Sequence, residues 1–158
     1  MRARKERKYA LSQMQFSEIR SRLKATLKSD PHSMAKPYHI RSIYFDGPKS
    51  PAIWEKLSGT SPRHKYRIRF YNHDYRKAKL ECKRKISNHI KKTSEPLCES
   101  QLHDILNHRR KPLSSSSLMR QFQLACRRDL LRPVVTVDYY RDAYIYPTGN
   151  LRITLDTY

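Results

Sequence analysis

The stretch His64-Lys-Tyr-Arg-Ile-Arg-Phe-Tyr71 decides the fold, because basic and apolar residues alternate along it without interruption. Side chains of a β-strand point alternately to opposite faces of its sheet. One face of this strand therefore carries bases and the other carries apolar and aromatic residues: Lys65, Arg67, Arg69 and Tyr71 against Tyr66, Ile68 and Phe70. The alternation predicts a strand that packs one side on a core and presents a basic surface on the other.

A second segment repeats the pattern. Lys79, Glu81, Lys83 and Lys85 alternate with Ala78, Leu80, Cys82 and Arg84. The solvated face of an antiparallel sheet would explain one such strand. Two adjacent ones bring like charges together, and cations about 4 Å apart repel by roughly 4 kcal/mol at an effective dielectric near 20. Glu81 alone is too little to offset this repulsion, so the pattern indicates a bound anion.

The rest of the chain predicts an α+β domain. Ser12 and Gln15 have the spacing of a capping box, which marks the start of a helix. The apolar stripe of this helix predicts packing on the core, and its bases, among them Arg20, predict a solvated face. A further short helix, in which Trp54 is expected to pack, closes at Gly59. This Trp54 helix spans Pro51 to Leu57. The remaining predicted elements are strands over Glu6 to Leu11 and His39 to Phe45, helices around Leu102 to Leu106 and around Leu118 to Ala125, and a hairpin of Pro133 to Tyr146 with Leu151 to Asp156.

The amino-acid composition limits the kinds of partner that the protein can bind. The formal net charge is +20 over 158 residues, which points to an anionic partner: nucleic acid, an anionic membrane surface or phosphates. The chain has only three glycines and no glycine-rich phosphate loop, so side chains must hold any phosphate. Its cysteines are widely spaced and contain no CxxC pair, which favours a reducing compartment over disulfides or zinc. With no apolar run of membrane-spanning length, the expected location is the cytoplasm, either free or at the inner face of a membrane.

Six motifs carry a family resemblance. They are Glu6-Arg-Lys-Tyr9, Ile40-Arg-Ser-Ile-Tyr-Phe-Asp46, Tyr66-Arg-Ile-Arg-Phe-Tyr71, Leu80-Glu-Cys-Lys-Arg-Lys85, Leu131-Arg-Pro-Val-Val135 with Tyr139-Tyr-Arg141, and Leu151-Arg-Ile-Thr-Leu-Asp-Thr157. In this order the chain resembles VTC-type polyphosphate polymerase domains of the CYTH-like triphosphate tunnel superfamily. The resemblance implies an antiparallel β-barrel that forms a basic tunnel, with helices packed outside.

The resemblance also implies roles for individual residues. Lys8, Arg67, Arg69 and Lys83 would act in the transfer of the terminal phosphoryl of ATP to a growing inorganic polyphosphate chain. Lys85, Lys91, Arg141 and Arg152 would bind phosphates beside them. Mn²⁺ or Mg²⁺ would be the cofactor, with Glu6 and Glu81 as candidate ligands. Truncating Arg67, Arg69 or Lys83 is expected to weaken phosphate binding without destabilising the free protein.

Two departures from the family pattern shape the expectation. The acid-x-acid-x-Lys pattern of the superfamily's hydrolases is replaced by Arg4, Glu6 and Lys8, which disfavours triphosphatase activity. Residues 1–158 are expected to form a single VTC-like domain that lacks the family's last strands, with the main metal carboxylate beyond Tyr158. The expected partners are ATP, polyphosphate and membrane-associated subunits, with no specific nucleic acid. The alternative function is a non-catalytic module that binds polyphosphate or nucleic acid.

Overall fold

The computed structural model describes residues 7–33, 36–87, 89–148 and 151–158. In these ranges it contains, in chain order, α1 (Gln13–Thr26), β1 (Lys28–Ser29), β2 (Tyr38–Asp46), α2 (Pro51–Leu57), β3 (Arg63–Tyr71), β4 (Lys79–Ile86), β5 (His89–Pro96), α3 (Glu99–Leu106), α4 (Ser117–Arg128), β6 (Arg132–Tyr146) and β7 (Leu151–Thr157). Short 3₁₀ turns follow β1 and precede β4.

The chain divides into two compact units. The first unit takes the described residues up to Tyr38 and those of Tyr140–Thr157, so it holds α1, β1, β7 and the second half of β6. In this unit β6 pairs antiparallel with both β7 and β1. Tyr144 is fully buried, and the Asp30 backbone N–H donates to the Ala143 carbonyl oxygen over 2.8 Å. These contacts fix the chain around the second half of β6.

The second unit, His39–Tyr139 with Tyr158, holds the basic strands. Its strands neighbour one another in the order β6, β2, β3, β4, β5. The apolar faces of β3 and β4 form one core with α3 and α4, and Phe45 meets Phe122 edge to face with ring centroids 5.0 Å apart. Burying the large apolar side chains of this core supplies the main driving force for folding, about 1.5–3 kcal/mol for each of them.

The α+β class and the antiparallel sheet with helices packed on it are confirmed. The predicted capping box is present at α1, where the Gln15 N–H donates to Ser12 Oγ over 3.3 Å and the Ser12 N–H donates to Gln15 Oε1 over 2.9 Å. The alternation along β3 is also confirmed, because Tyr66, Ile68 and Phe70 are all buried in the core.

Three local predictions are wrong, and one strand was not predicted. Residues 7–11 form no strand, and Glu6 lies outside the described residues. α1 buries none of its side chains, because its apolar stripe is only half-covered in the first unit. Trp54 does not pack but is 67% exposed. Strand β5 was not predicted at all; its residues are mostly exposed, and backbone pairing with β4 defines it rather than apolar alternation.

Candidate anion-binding site

The face of the second unit's sheet opposite its core is basic. In the register of β3 with β4, Lys65 faces Lys83, Arg67 faces Glu81 and Arg69 faces Lys79. On the other side of β4, Lys92 of β5 faces Lys83. Because directly opposed residues point to the same side of a sheet, these seven side chains share one face. We call this set, with Lys85 at its end, the cationic face.

Glu81 lies at the centre of the cationic face and is only 4% exposed. Its Oε2 accepts from Arg67 Nε over 2.7 Å, and its Oε1 lies 2.5 Å from the ammonium of Lys92. Burial alone would raise the pKa of Glu81, but the Lys92 ammonium and the Arg67 guanidinium outweigh it, and the pKa is lowered. The carboxylate is therefore held ionised, with one cation on each oxygen.

The two arginines are oriented by hydroxyl groups as well as by Glu81. Arg67 donates to the Tyr44 hydroxyl over 3.0 Å, and burial, which lowers its pKa, is outweighed by Glu81 and Tyr44. Arg69, 9% exposed, donates to Ser42 Oγ over 2.9 Å and to the Tyr139 hydroxyl over 3.4 Å. Neutral acceptors position a guanidinium without cancelling its charge, so Arg69 keeps its full charge in a nearly closed environment.

Three lysines form a row across three strands. Lys83 of β4 has Lys65 directly opposite on β3 and Lys92 directly opposite on β5. Within the described ranges neither Lys65 nor Lys83 forms an ion pair, and only Lys92 reaches Glu81. Opposed strands lie about 4.8 Å apart. An anion bound along this row would relieve the repulsion between the lysines.

The other predicted residues lie in different places. Lys85 faces Arg63 and shares the cationic face, whereas Lys91 faces Arg84 and points to the opposite side of the sheet. In this register Lys92, and not Lys91, shares the cationic face. Lys8 is exposed in the first unit. Their roles in phosphate binding stay predictions.

The two predicted arginines of the first unit are bound to carboxylates. Arg141 donates to both oxygens of Asp156 over 2.7 Å, and Arg152 lies 3.1 Å from Asp30 and donates to the Tyr38 hydroxyl over 3.1 Å. Both side chains lie on the same face of the hairpin, because Arg141 faces Asp156 and Arg152 faces Ile145 in the β6–β7 register. A phosphate would have to compete with these carboxylates.

The residues described do not form a metal site of their own. Among them, no group of three or more His, Cys, Asp and Glu side chains converges. Of the two predicted ligands, Glu6 lies outside the described ranges, and both oxygens of Glu81 are engaged by cations. A divalent cation at Glu81 would have to displace Lys92. The residues present therefore do not fit a protein-held Mn²⁺ or Mg²⁺ at this position.

Sequence reasoning missed several polar contacts that the fold creates. Arg20, expected on a solvated face, donates to Asp142 over 2.9 Å, and Asp142 also accepts from the Tyr144 hydroxyl over 2.9 Å. In the second unit Arg41 donates to both oxygens of Asp138 over 2.7 Å. Both aspartates lie on β6, 97 or more residues along the chain from the arginines that they bind. Only the pairing of β6 with distant parts of the chain could have indicated these contacts.

The fold and the site together define an α+β protein with a cationic antiparallel sheet. A family model described as VTC domain matches residues 3–158, and the chain belongs to this family. The resemblance drawn from the six motifs is thereby confirmed. A search of curated proteins found no match. In the described part of the chain, none of the helices combines the length and the hydropathy needed to cross a membrane.

Proposed function

We propose that the protein is a phosphotransferase that moves the terminal phosphoryl of ATP to the end of a growing inorganic polyphosphate chain. The observation that carries this proposal is the row of Lys65, Lys83 and Lys92 beside two fixed arginines. Membership of the VTC domain family supports it. In the reaction an oxygen of the acceptor's terminal phosphate attacks the γ-phosphorus of ATP, the bond from that phosphorus to the bridging oxygen breaks, and ADP leaves.

The contributions of the side chains follow from where they are held. Arg67 and Arg69 would grip the nucleotide's phosphates, since a planar guanidinium matches two phosphate oxygens at once. The lysine row would hold the acceptor chain as a line of compact charges. Phosphoryl transfer needs alignment and charge neutralisation more than a protein nucleophile. The proposed contribution of the protein is therefore the fixed geometry of its cations.

The proposal includes a divalent cation only as an ion bound to the nucleotide. Mn²⁺ or Mg²⁺ prefers oxygen ligands, and with ATP it would supply further neutralisation of phosphate charge. Because both oxygens of Glu81 are engaged, we assign this carboxylate to ordering Arg67 and Lys92 instead of binding metal. Membrane-associated partner subunits and a location at the inner face of a membrane remain predictions.

The test uses Lys83→Ala, with the exposed α1 residue Lys24→Ala as the matched control. Lys83→Ala removes the middle of the lysine row, so we expect tripolyphosphate affinity to fall about 5- to 100-fold, while the free protein is as stable as before or more so. Lys24→Ala should change neither quantity. Titration calorimetry measures the affinity, and thermal unfolding without anions measures the stability.

Turnover separates the proposal from its alternative. Any lengthening of polyphosphate from ATP with Mn²⁺ should be slower in Lys83→Ala than in the unsubstituted protein. Tight polyphosphate binding with no chain growth would instead identify a non-catalytic polyanion-binding module. Displacement of ATP by duplex DNA at physiological salt would identify a nucleic-acid site, because a duplex is a polyanion like polyphosphate but is much wider.

A further inference from the structure

A large apolar surface remains exposed on α2. Ile53, Trp54 and Leu57 are 57%, 67% and 73% exposed. They lie one, three and four positions apart, so they form one side of the helix. The helix is held to its unit from the other side, where the Ala52 N–H donates to Asp46 over 3.2 Å and Arg63 donates to the Glu55 carbonyl oxygen over 3.0 Å. The apolar side chains are thus presented outward by a fixed helix.

A second pair of apolar side chains lies at the same end of the sheet. Ile86 and Ile90, 45% and 57% exposed, lie near the ends of β4 and β5 and point to opposite faces of the sheet, because Ile90 faces Lys85 of β4. The Ser87 N–H of this turn donates over 2.7 Å to Ser61 Oγ, in the segment that leads from α2 into β3. The turn and α2 are therefore joined at one end of the second unit. We call this end, with the five apolar side chains on it, the Trp54 surface.

The segments that carry the Trp54 surface are rich in bases. Residues 49–65 and 84–92 contain one acidic residue, Glu55, and the following bases: Lys49, Lys56, Arg63, Lys65, Arg84, Lys85, Lys91 and Lys92. Exposed tryptophan and aliphatic side chains ringed by lysine and arginine are typical of segments that lie in the headgroup region of a bilayer. Anionic lipids attract such bases, and the apolar side chains then enter the boundary between headgroups and acyl chains.

We propose that the Trp54 surface binds anionic membranes peripherally, with α2, Ile86 and Ile90 inserted at the interface. This activity is distinct from the phosphate chemistry proposed for the cationic face, because it depends on the apolar side chains of the Trp54 surface, although Lys65, Lys85 and Lys92 belong to both. A nucleic acid is the competing partner for a basic surface. Nucleic acid would need the bases and, apart from stacking, has no use for Ile53 and Leu57.

The experiment exploits the fact that Trp54 is the only tryptophan of the chain. On adding vesicles of phosphatidylcholine with about 30% phosphatidylserine, we expect its emission to shift to the blue and to be quenched by brominated lipids. Vesicles of phosphatidylcholine alone should have a much weaker effect. No blue shift and no quenching with anionic vesicles would overturn the proposal.

Two double variants locate the binding. Ile53→Ser with Leu57→Ser keeps the reporter but removes its apolar neighbours, and we expect vesicle partitioning to fall about tenfold or more. Val134→Ser with Val135→Ser, on an exposed part of β6, should leave it unchanged. Equal loss in both variants would overturn the proposal. A shift of Trp54 emission with a duplex DNA oligonucleotide but not with anionic vesicles would replace it with a nucleic-acid site.

Discussion

Glu81→Gln tests most directly how the cationic face is held together. The substitution keeps the shape of the side chain but removes its charge and places an amide nitrogen, a donor, against Arg67 or Lys92. At 2.7 Å and an effective dielectric of 20 the attraction between Arg67 and Glu81 is roughly 6 kcal/mol. The desolvation of both groups offsets part of this. Removing one partner of a buried pair costs about 3–5 kcal/mol.

The ion pair of Lys92 with Glu81 contributes less to the stability, because the Lys92 side chain is 48% exposed and solvent screens its charge. We assign this pair less than about 1 kcal/mol. We expect Glu81→Gln to lower the unfolding free energy in anion-free buffer by about 3 kcal/mol. Glu18→Gln, which breaks an exposed pair with Arg22 on α1, should change it by less than about 0.5 kcal/mol. Urea unfolding followed by circular dichroism measures both.

The same variant should bind anions more tightly. In the wild-type protein a phosphate competes with Glu81 for Arg67 and Lys92, and without the carboxylate both cations are available to the anion. We expect tripolyphosphate to bind Glu81→Gln about tenfold more tightly and to restore much of the lost stability. Full stability without anions, or weaker tripolyphosphate binding, would refute the assignment. Loss of Mn²⁺-dependent ATP binding alone would show that Glu81 is a metal ligand.

Three further predictions concern other contacts. Arg20→Ala should lower the unfolding free energy by about 1–2 kcal/mol in urea unfolding, because it leaves the buried Asp142 with less compensation; a value near zero would return Arg20 to a solvated face. Cys98, exposed and with a pKa lowered chiefly by a hydrogen bond from Ser100, should react with iodoacetamide well before Cys126, whose pKa burial raises to about 11, as peptide mass spectrometry would show. The stabilising contribution of Glu81 should be complete above the ordinary glutamate pKa and be lost as the pH falls through the lowered pKa of the folded protein. In denaturant titrations, the wild-type protein should therefore lose more unfolding free energy than Glu81→Gln between about pH 5 and pH 3.

The sequence predicted the elements whose signal is local. The period-2 alternation of β3 and β4 and the capping box of α1 depend on residues within a few positions of one another, and the structure confirms them. Strand β5 lacks such a signal. Its residues are exposed or half-exposed on both faces, so no core pattern marks them, and it is a strand because a short turn folds it back on β4.

The centre of the candidate site was predicted, and its supporting residues were not. Alternation places Arg67, Arg69 and Lys83 on one face whatever the pairing. The choice between Lys91 and Lys92, in contrast, depends on register, and a shift of one residue reverses the face. The hydroxyl partners of the arginines come from β2 and β6, whose positions beside β3 follow from long-range topology. No spacing along the chain encodes that order.

The single buried carboxylate explains how a face of like charges folds before any anion binds. Glu81 carries one negative charge and shares it between two cations, Arg67 and Lys92. On the lysine row, Lys65 and Lys83 therefore remain without a carboxylate partner among the described residues. A second acid would cancel the attraction for phosphate, and none at all would leave Arg67 half-buried and uncompensated. With one carboxylate the sheet has compensation for Arg67 when empty and, under the proposed function, still gains free energy by binding a polyanion.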